Sequence, residues 1–552
     1  MTRPTDTSEL GLERLIVRHL AGISEHPPVA PNTAQEPVSV YGPGGYVLGR
    51  ASDYNRDVAL DVAKLLEFLQ ATQPRAVETL NLASEGIQRT QFLHRLQGEI
   101  AKRGVVDCLR RGVSHGPVTV DLYKLLPTPG NAAASEAFAK NIFSVTRQVR
   151  YSNDSGNELD LVVFINGLPV LTFELKNSLT KQTVADAIVQ YQTTRDPKEL
   201  LFQSGRCVAH LAVDDAEVRF CTELKGKASW FLPFNQGWNS GAGNPPNPNG
   251  IKTDYLWKQV LAKESLANII ENYAQVVEDE EEDASGRRRK TRKPVFPRFH
   301  QLRTVRALLR RSRADGVGQR YLIQHSAGSG KSNTIAWLAH QLVELKTAAD
   351  AMQAQFDSVI VITDRRALDT QIHKTIKGYD HVASILGHSD NAQELRDFLR
   401  RSKKIIVTTV QKFPFILDEL GDLGDRKFAL LIDEAHSSQG GKTTAKMHQA
   451  LGGSVGASVG GKTDEETFEE DSTQDAVNAE IEKRIASRKL LTNASYYAFT
   501  ATPKTRTLEL FGERVTVGDK VQFRSPEELT YTTKQAIQEG FILDVIANYT
   551  PV

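Results

Sequence analysis

Two groups of residues have the types and spacing to do chemistry. The first is Ser326-Ala327-Gly328-Ser329-Gly330-Lys331-Ser332, which follows the apolar run Tyr321 to His325 and leads into a helical stretch. In such a loop Gly328, Ser329 and Gly330 let backbone N–H groups approach and cradle phosphates. Lys331 neutralises the β and γ oxygens, Ser332 ligates Mg²⁺, and the helix N-terminus adds its positive dipole end. His325 stands where G-x-x-x-x-G-K-[ST] has its first glycine. Further on, the run FALLI ends in Asp433-Glu434-Ala435-His436. Asp433 at a strand tip can hold Mg²⁺ through its water shell, and Glu434 can orient and deprotonate the attacking water.

The second group lies in NELDLVVFINGLPVLTFELK, Asn157 to Lys176. Two β-runs are joined there by Asn166-Gly167, a strong hairpin signal. Asp160 opens the first strand. Glu174 and Lys176 are two apart in the second, so both project from one sheet face. The carboxylates of Asp160 and Glu174 can bind Mg²⁺ at a scissile phosphate, and Lys176 can orient or activate the hydrolytic water. Glu13, on the first amphipathic helix (LGLERLIVRHL), is a candidate third carboxylate.

Around the phosphate loop the pattern is β/α. Short apolar runs (YLIQH, SVIVIT, KIIVTT, FALLIDEA, YYAFTAT) alternate with helical stretches such as IAWLAHQLVEL, as buried parallel strands do when helices cover both sheet faces. Four lesser segments fall at the ends of these elements. Gln301, in Phe299-His300-Gln301, can read an adenine edge. Arg365, after Thr363-Asp364, and Thr408 and Gln411, in Thr408-Thr409-Val410-Gln411, can hold the phosphates of one nucleic-acid strand. Thr500 and Thr502, in Thr500-Ala501-Thr502-Pro503, can link the nucleotide site to movement of that strand.

The 552 residues suit several domains. Hydrophobic residues at 40%, charged residues at 24% and a net charge of +1 describe an ordinary globular protein, and a local basic groove is still compatible with a polyanionic partner. Cys108, Cys207 and Cys221 form neither a disulfide framework nor a zinc pattern, which favours a reducing cytoplasm. The polar start lacks a signal-peptide core, and the run Leu159 to Phe173 is too short and too interrupted to span a bilayer, so no membrane is expected. An acidic block runs into a basic one between Val277 and Pro294 and reads as a solvated linker. The glycine-, serine- and acid-rich stretch Leu451 to Gln474 reads as a surface insertion.

From about residue 295 the ordered motifs resemble superfamily 2 helicases and translocases, which implies ATP held between two RecA-like lobes. The hairpin resembles the PD-(D/E)xK nuclease fold, with Leu159 in place of proline. DAIVQYQTTRDP resembles the Gln-x-x-x-Tyr element of such nucleases, with Ala187 at the glutamine position. Tyr191 and the displaced Gln190 are therefore candidates for DNA contact or fold support. Nuclease first and motor second resembles the restriction (motor) subunit of type I restriction–modification enzymes, as do FSVTRQVRYS, FLPFN, DEAHSSQ and AFTATPKTRTLELFG.

The resemblance implies an α/β chain with an endonuclease domain (1–276), a charged linker (277–294), a first RecA-like lobe (295–515) and the start of a truncated second lobe (516–552). The chain is then a fragment of a longer subunit. It further implies ATP and Mg²⁺ as cofactors, and double-stranded DNA translocation coupled to cleavage far from the recognition site. Methyltransferase and specificity subunits would be the partners, and they alone would use S-adenosylmethionine. A stand-alone helicase–nuclease of DNA repair or phage defence, and a non-enzymatic assembly module, are the alternative readings.

Overall fold

In the computed structural model of the chain the described residues are 9–22, 44–177, 180–282, 288–363, 372, 375–376, 386–388, 392–401, 403–409, 420, 423, 425–433, 491–518 and 520–543. They fall into two compact units, Met1–Phe299 and His300–Val552. Arg365, Gln411, Glu434, His436 and the 451–474 stretch lie outside the described residues.

The first unit is built on a seven-stranded mixed sheet. Its strands, in chain order and in sheet order alike, are β1 (Val47–Leu48), β2 (Phe143–Arg150), β3 (Glu158–Ile165), β4 (Leu168–Leu175), β5 (Ala209–Val213), β6 (Val218–Cys221) and β7 (Leu232–Pro233). The meander β2–β3–β4 is antiparallel, and β4 then pairs in parallel with β5. Every residue of β4 is buried, which is why it reads as an unbroken apolar run. Helix α1 (Glu9–Ala21) lies near β2 and β4, and α2 (Val184–Thr193) lies against β4 and β5. A capping box between Thr183 and Asp186 starts α2, and its first N–H donates to Asp214 Oδ2 at 2.8 Å, just past the end of β5.

The hairpin turn is as expected: Asn166 and Gly167 have φ of 50° and 81°, the left-handed pair a two-residue turn requires. Its tip is plugged into the domain. Asn166 is buried, donates to Leu122 O at 2.9 Å and accepts from Ile142 N–H at 2.7 Å. A Cβ on Gly167 would stand 2.2 Å from Asp61 O.

Within the charged stretch 277–294, expected to be a linker, residues 277–282 and 288–294 are strand. Strands β8 (Gln275–Glu282) and β9 (Arg288–Val295) pair antiparallel, and the register sets the acidic run opposite the basic one. A register that pairs acidic positions with basic ones favours strand pairing over solvated coil. Phe296 and Phe299 pack with Phe220, Phe234 and Tyr255, so the first unit runs on to Phe299.

The second unit holds a seven-stranded, wholly parallel sheet. Its strands are β10 (Arg320–His325), β11 (Ser358–Thr363), β12 (Leu386–His388), β13 (Ile405–Thr409), β14 (Phe428–Ile432), β15 (Ala494–Thr500) and β16 (Thr530–Tyr531), in the order β12-β13-β11-β14-β15-β10-β16. Helix α3 (Phe299–Asp315) precedes β10, and α4 (Lys331–Glu344) follows it. One boundary moves. Thr530 and Tyr531, placed by sequence in a second lobe, pair in parallel with Gln324 and His325 and form the edge of this same sheet.

Candidate nuclease and nucleotide sites

Asp160, Glu174 and Lys176 come together at one end of the β3–β4 pair. Continuing the register from Leu161↔Phe173 sets Asp160 opposite Glu174, and Asp160 Oδ2 accepts from Leu175 N–H at 2.7 Å. That alignment depends on a bulge. At the turn Ile165 pairs with Leu168 and Phe164 with Pro169, but Val163 pairs with Leu171, so Val170 is an extra residue in β4. Without it Asp160 would face Phe173 and lie on the sheet face opposite Glu174. Lys176, just past β4, is buried, and its N–H donates to Val213 O at 2.9 Å.

Glu174 is 0% exposed. Its Oε1 accepts from Arg195 Nε at 2.6 Å, while Oε2 is buried with no hydrogen-bond partner among the described residues. Burial first, and then the Asp160 charge, pushes its carboxyl up to about 8, against the pull of Arg195 and Lys176. A buried orphan oxygen beside a second carboxylate is an arrangement that a divalent cation completes. Asp160 and Glu174 therefore fit a metal.

Glu13 takes another place. It is buried and accepts from Arg147 Nε and from Gln148 Nε2, the latter at 2.9 Å. Gln148 lies between Arg147 and Val149, which pair with Leu161 and Leu159 on either side of Asp160. Among the described residues no three His, Cys, Asp or Glu side chains gather into a metal cage. Tyr191 is a core residue: it is 0% exposed and its hydroxyl lies 2.9 Å from Thr172 Oγ1, which in turn lies 2.8 Å from His210 Nδ1. Gln190 is half-buried on α2 and its carbonyl caps the helix by accepting from Thr194 N–H at 3.0 Å. Arg195 carries no motif signal in the sequence; only its place after α2, beside Tyr191, hints at the site.

In the second unit the phosphate loop joins β10 to α4. Gly328 and Gly330 have φ of 70° and 78°, conformations that a glycine adopts freely. Two loop carbonyls are engaged from α3: Gln301 Nε2 donates to Gly330 O at 2.9 Å, and His300 Nε2 lies 3.1 Å from Ser329 O. The loop also closes on itself, Ser329 N–H donating to Ser326 O at 3.2 Å. Lys331 and Ser332 are half-buried at the start of α4, and the buried Ser329 Oγ has no hydrogen-bond partner among the described residues. His325 is buried, its Nε2 is 3.1 Å from Thr304 Oγ1, and its ring lies edge-on to His300.

Asp433 follows β14, is buried, and its N–H donates to Ile362 O at 2.9 Å. Because every pair in the sheet is parallel, Asp433, Thr363, Thr408 and Thr500 share the C-terminal edge with the phosphate loop, where open α/β sheets bind ligands. Thr408 O accepts from Thr363 Oγ1 at 3.4 Å, Thr500 is buried, and Thr502 is exposed beyond β15.

Fold and sites define an α/β protein with a nuclease-type sheet domain followed by a RecA-like ATPase lobe. Residues 55–229 match the family described as type I restriction enzyme R protein N terminus, and residues 300–550 match the SWI2/SNF2 ATPase family. The chain is 25% identical over 411 residues to the type I restriction enzyme HindI endonuclease subunit of Haemophilus influenzae, covering 70% of this chain and 34% of that one. It is 23% identical over 432 residues to the SsaAORF53P endonuclease subunit of Staphylococcus saprophyticus, covering 75% and 37%. The T4 UvsW crystal structure overlays with a TM-score of 0.22 at 14% identity, over 40% of this chain and 34% of that one, too loosely to carry an inference. Both of these curated relatives are endonuclease subunits of type I restriction enzymes, and the chain spans about a third of their length.

The three cysteines are buried and free. Among the described residues no helix is long and apolar enough to cross a membrane.

Proposed function

We propose that this chain supplies the nuclease and the first motor lobe of an ATP-dependent, DNA-translocating type I restriction endonuclease. The observation that carries the reading is the pairing of two sites in separate units: Asp160, Glu174 and Lys176 on the first, and the phosphate loop with Asp433 on the second. Asp160 and Glu174 would hold Mg²⁺, which supplies charge stabilisation at the scissile phosphate when bound. Lys176 orients the water that attacks that phosphate. Lys331 would stabilise charge on the transferred phosphoryl group of ATP, Ser332 and Asp433 would hold its Mg²⁺, and Glu434 would position the hydrolytic water. Gln301 ties the loop to α3 and would read the adenine edge. Arg365, Thr408, Gln411, Thr500 and Thr502 are the residues proposed to meet the DNA strand or to relay nucleotide state to it, and His436 completes the Asp433 segment.

The proposed partners are double-stranded DNA and the methyltransferase and specificity subunits, with S-adenosylmethionine used by those subunits alone; the compartment is the cytoplasm. Reconstitution tests this directly. The full-length subunit, assembled with those partners, should cut a circular DNA bearing one recognition site only when ATP and Mg²⁺ are both present. Cutting at equal rate without ATP, or without the partner subunits, would favour a stand-alone nuclease instead.

A further inference from the structure

Arg195 is 5% exposed and spans the nuclease site. Its Nε donates to Glu174 Oε1 at 2.6 Å, and its Nη2 donates to the main-chain oxygen of Glu158 at 2.9 Å. Nη1 lies 3.4 Å from Tyr151 Oη and from Thr194 Oγ1. Glu158 is two residues before Asp160 in β3. One guanidinium thus ties the carboxylate on β4 to the strand that carries the other carboxylate. A planar fork makes both bonds at once, whereas an ammonium is a single point of charge. The consequence is asymmetric: Oε1 is engaged and Oε2 is buried with no hydrogen-bond partner among the described residues. A carboxylate oxygen left so is costly unless a cation meets it.

We propose that Arg195 is the positioning residue of the nuclease site: it presents Glu174 Oε2 to the divalent cation and fixes the separation of Asp160 and Glu174. The inference rests on the nuclease reading above. Two effects of opposite sign compete when Arg195 is removed. A cation beside the site repels a second cation, so its loss would tighten metal binding. Loss of the tether, however, leaves both Glu174 oxygens unpartnered against Asp160 and frees the side chain to turn away. Partners that orient metal ligands are typically worth about 10–100-fold in metal affinity, and that effect dominates for a ligand with one remaining hydrogen-bond donor to lose.

The test is a Mn²⁺ titration of the 552-residue chain followed by electron paramagnetic resonance, without nucleotide. Asp160→Ala identifies which binding belongs to the nuclease site. Arg195→Met should weaken that binding by about 10–100-fold, and Arg195→Lys should restore part of it. The rise in melting temperature that Mn²⁺ gives the wild type should shrink in step. Should Arg195→Met fail to fold, Arg195→Lys decides alone, since lysine cannot bridge Glu174 and Glu158 together. Unchanged or tighter Asp160-dependent binding in these variants would overturn the positioning role and leave the nuclease reading standing. A wild type with no Asp160-dependent Mn²⁺ site would overturn both.

Discussion

Tyr191 is where two readings of one residue make opposite predictions. A DNA-contacting tyrosine would lose binding on Tyr191→Phe and keep its stability. The structure instead sets its hydroxyl 2.9 Å from Thr172 Oγ1, with His210 Nδ1 2.8 Å from the same oxygen, all three residues buried. Tyr191→Phe removes one neutral hydrogen bond but leaves Thr172 partnered by His210, a loss of about 1 kcal/mol. Thr172→Val does more, because it strands the Tyr191 hydroxyl and the His210 ring together. At about 1–3 kcal/mol for each stranded group the loss is roughly 2–6 kcal/mol, with nearly the same shape retained. Thr172→Ser should stay close to wild type. Urea unfolding of the 552-residue chain, followed by Trp fluorescence, measures all three, with DNA binding assayed in parallel. Tyr191→Phe at full stability with weakened DNA binding would refute the core assignment.

Burial holds the His210 imidazole down to about 3. Its unfolded counterpart takes a proton below about 6.5, so the stability it contributes is complete above that value and drains away as pH falls toward 3, at about 1.4 kcal/mol per unit. Unfolding measured from pH 7 to 5 in wild type and in His210→Gln should show the shallower acid loss in the variant; parallel curves would contradict it. In the phosphate loop, Lys331→Ala should slow ATP hydrolysis in the assembled enzyme by about 10²–10³. Cleavage should fall with it, and a variant that still cut far from its recognition site would break the proposed coupling. Gly328→Ala places a side chain at φ 70°, where a Cβ would meet Phe541 O at 3.4 Å; a strain of about 1–2 kcal/mol should show as weaker nucleotide binding in a fluorescent-analogue titration.

The sequence carried the hairpin turn and the parallel-sheet strands because both are local. Asn166-Gly167 needs two positive φ values whatever surrounds it, and a strand buried on both faces is apolar throughout. It also carried the phosphate loop, whose glycines answer to backbone geometry. What stayed hidden is long-range. Nothing in the spacing of Asp160 and Glu174 says that a simple hairpin would put them on opposite faces; the bulge at Val170 corrects that. Pro169 was the available sign, since a proline inside a strand cannot donate to the ladder and favours a bulge. Arg195 meets Glu174 across 21 positions of chain, a contact that only the packing of α2 on β4 creates. The charged run after Val277 looked too polar to order, yet folding back on itself sets its acids opposite its bases. Thr530 and Tyr531 form a strand too short for any periodic signal, and pairing with β10 alone makes them part of the sheet.

Cutting and ATP hydrolysis are proposed to reside in separate units that one assembly couples. Asp160→Ala in the full-length subunit, reconstituted with methyltransferase and specificity subunits, measures this in a single experiment. DNA cleavage and DNA-stimulated phosphate release are followed in the same reaction. Cleavage should disappear while ATP hydrolysis continues at the wild-type rate, because Asp160 belongs to Met1–Phe299 and the phosphate loop to His300–Val552. Cleavage that persists, or ATP hydrolysis that fails together with it in a folded protein, would contradict it.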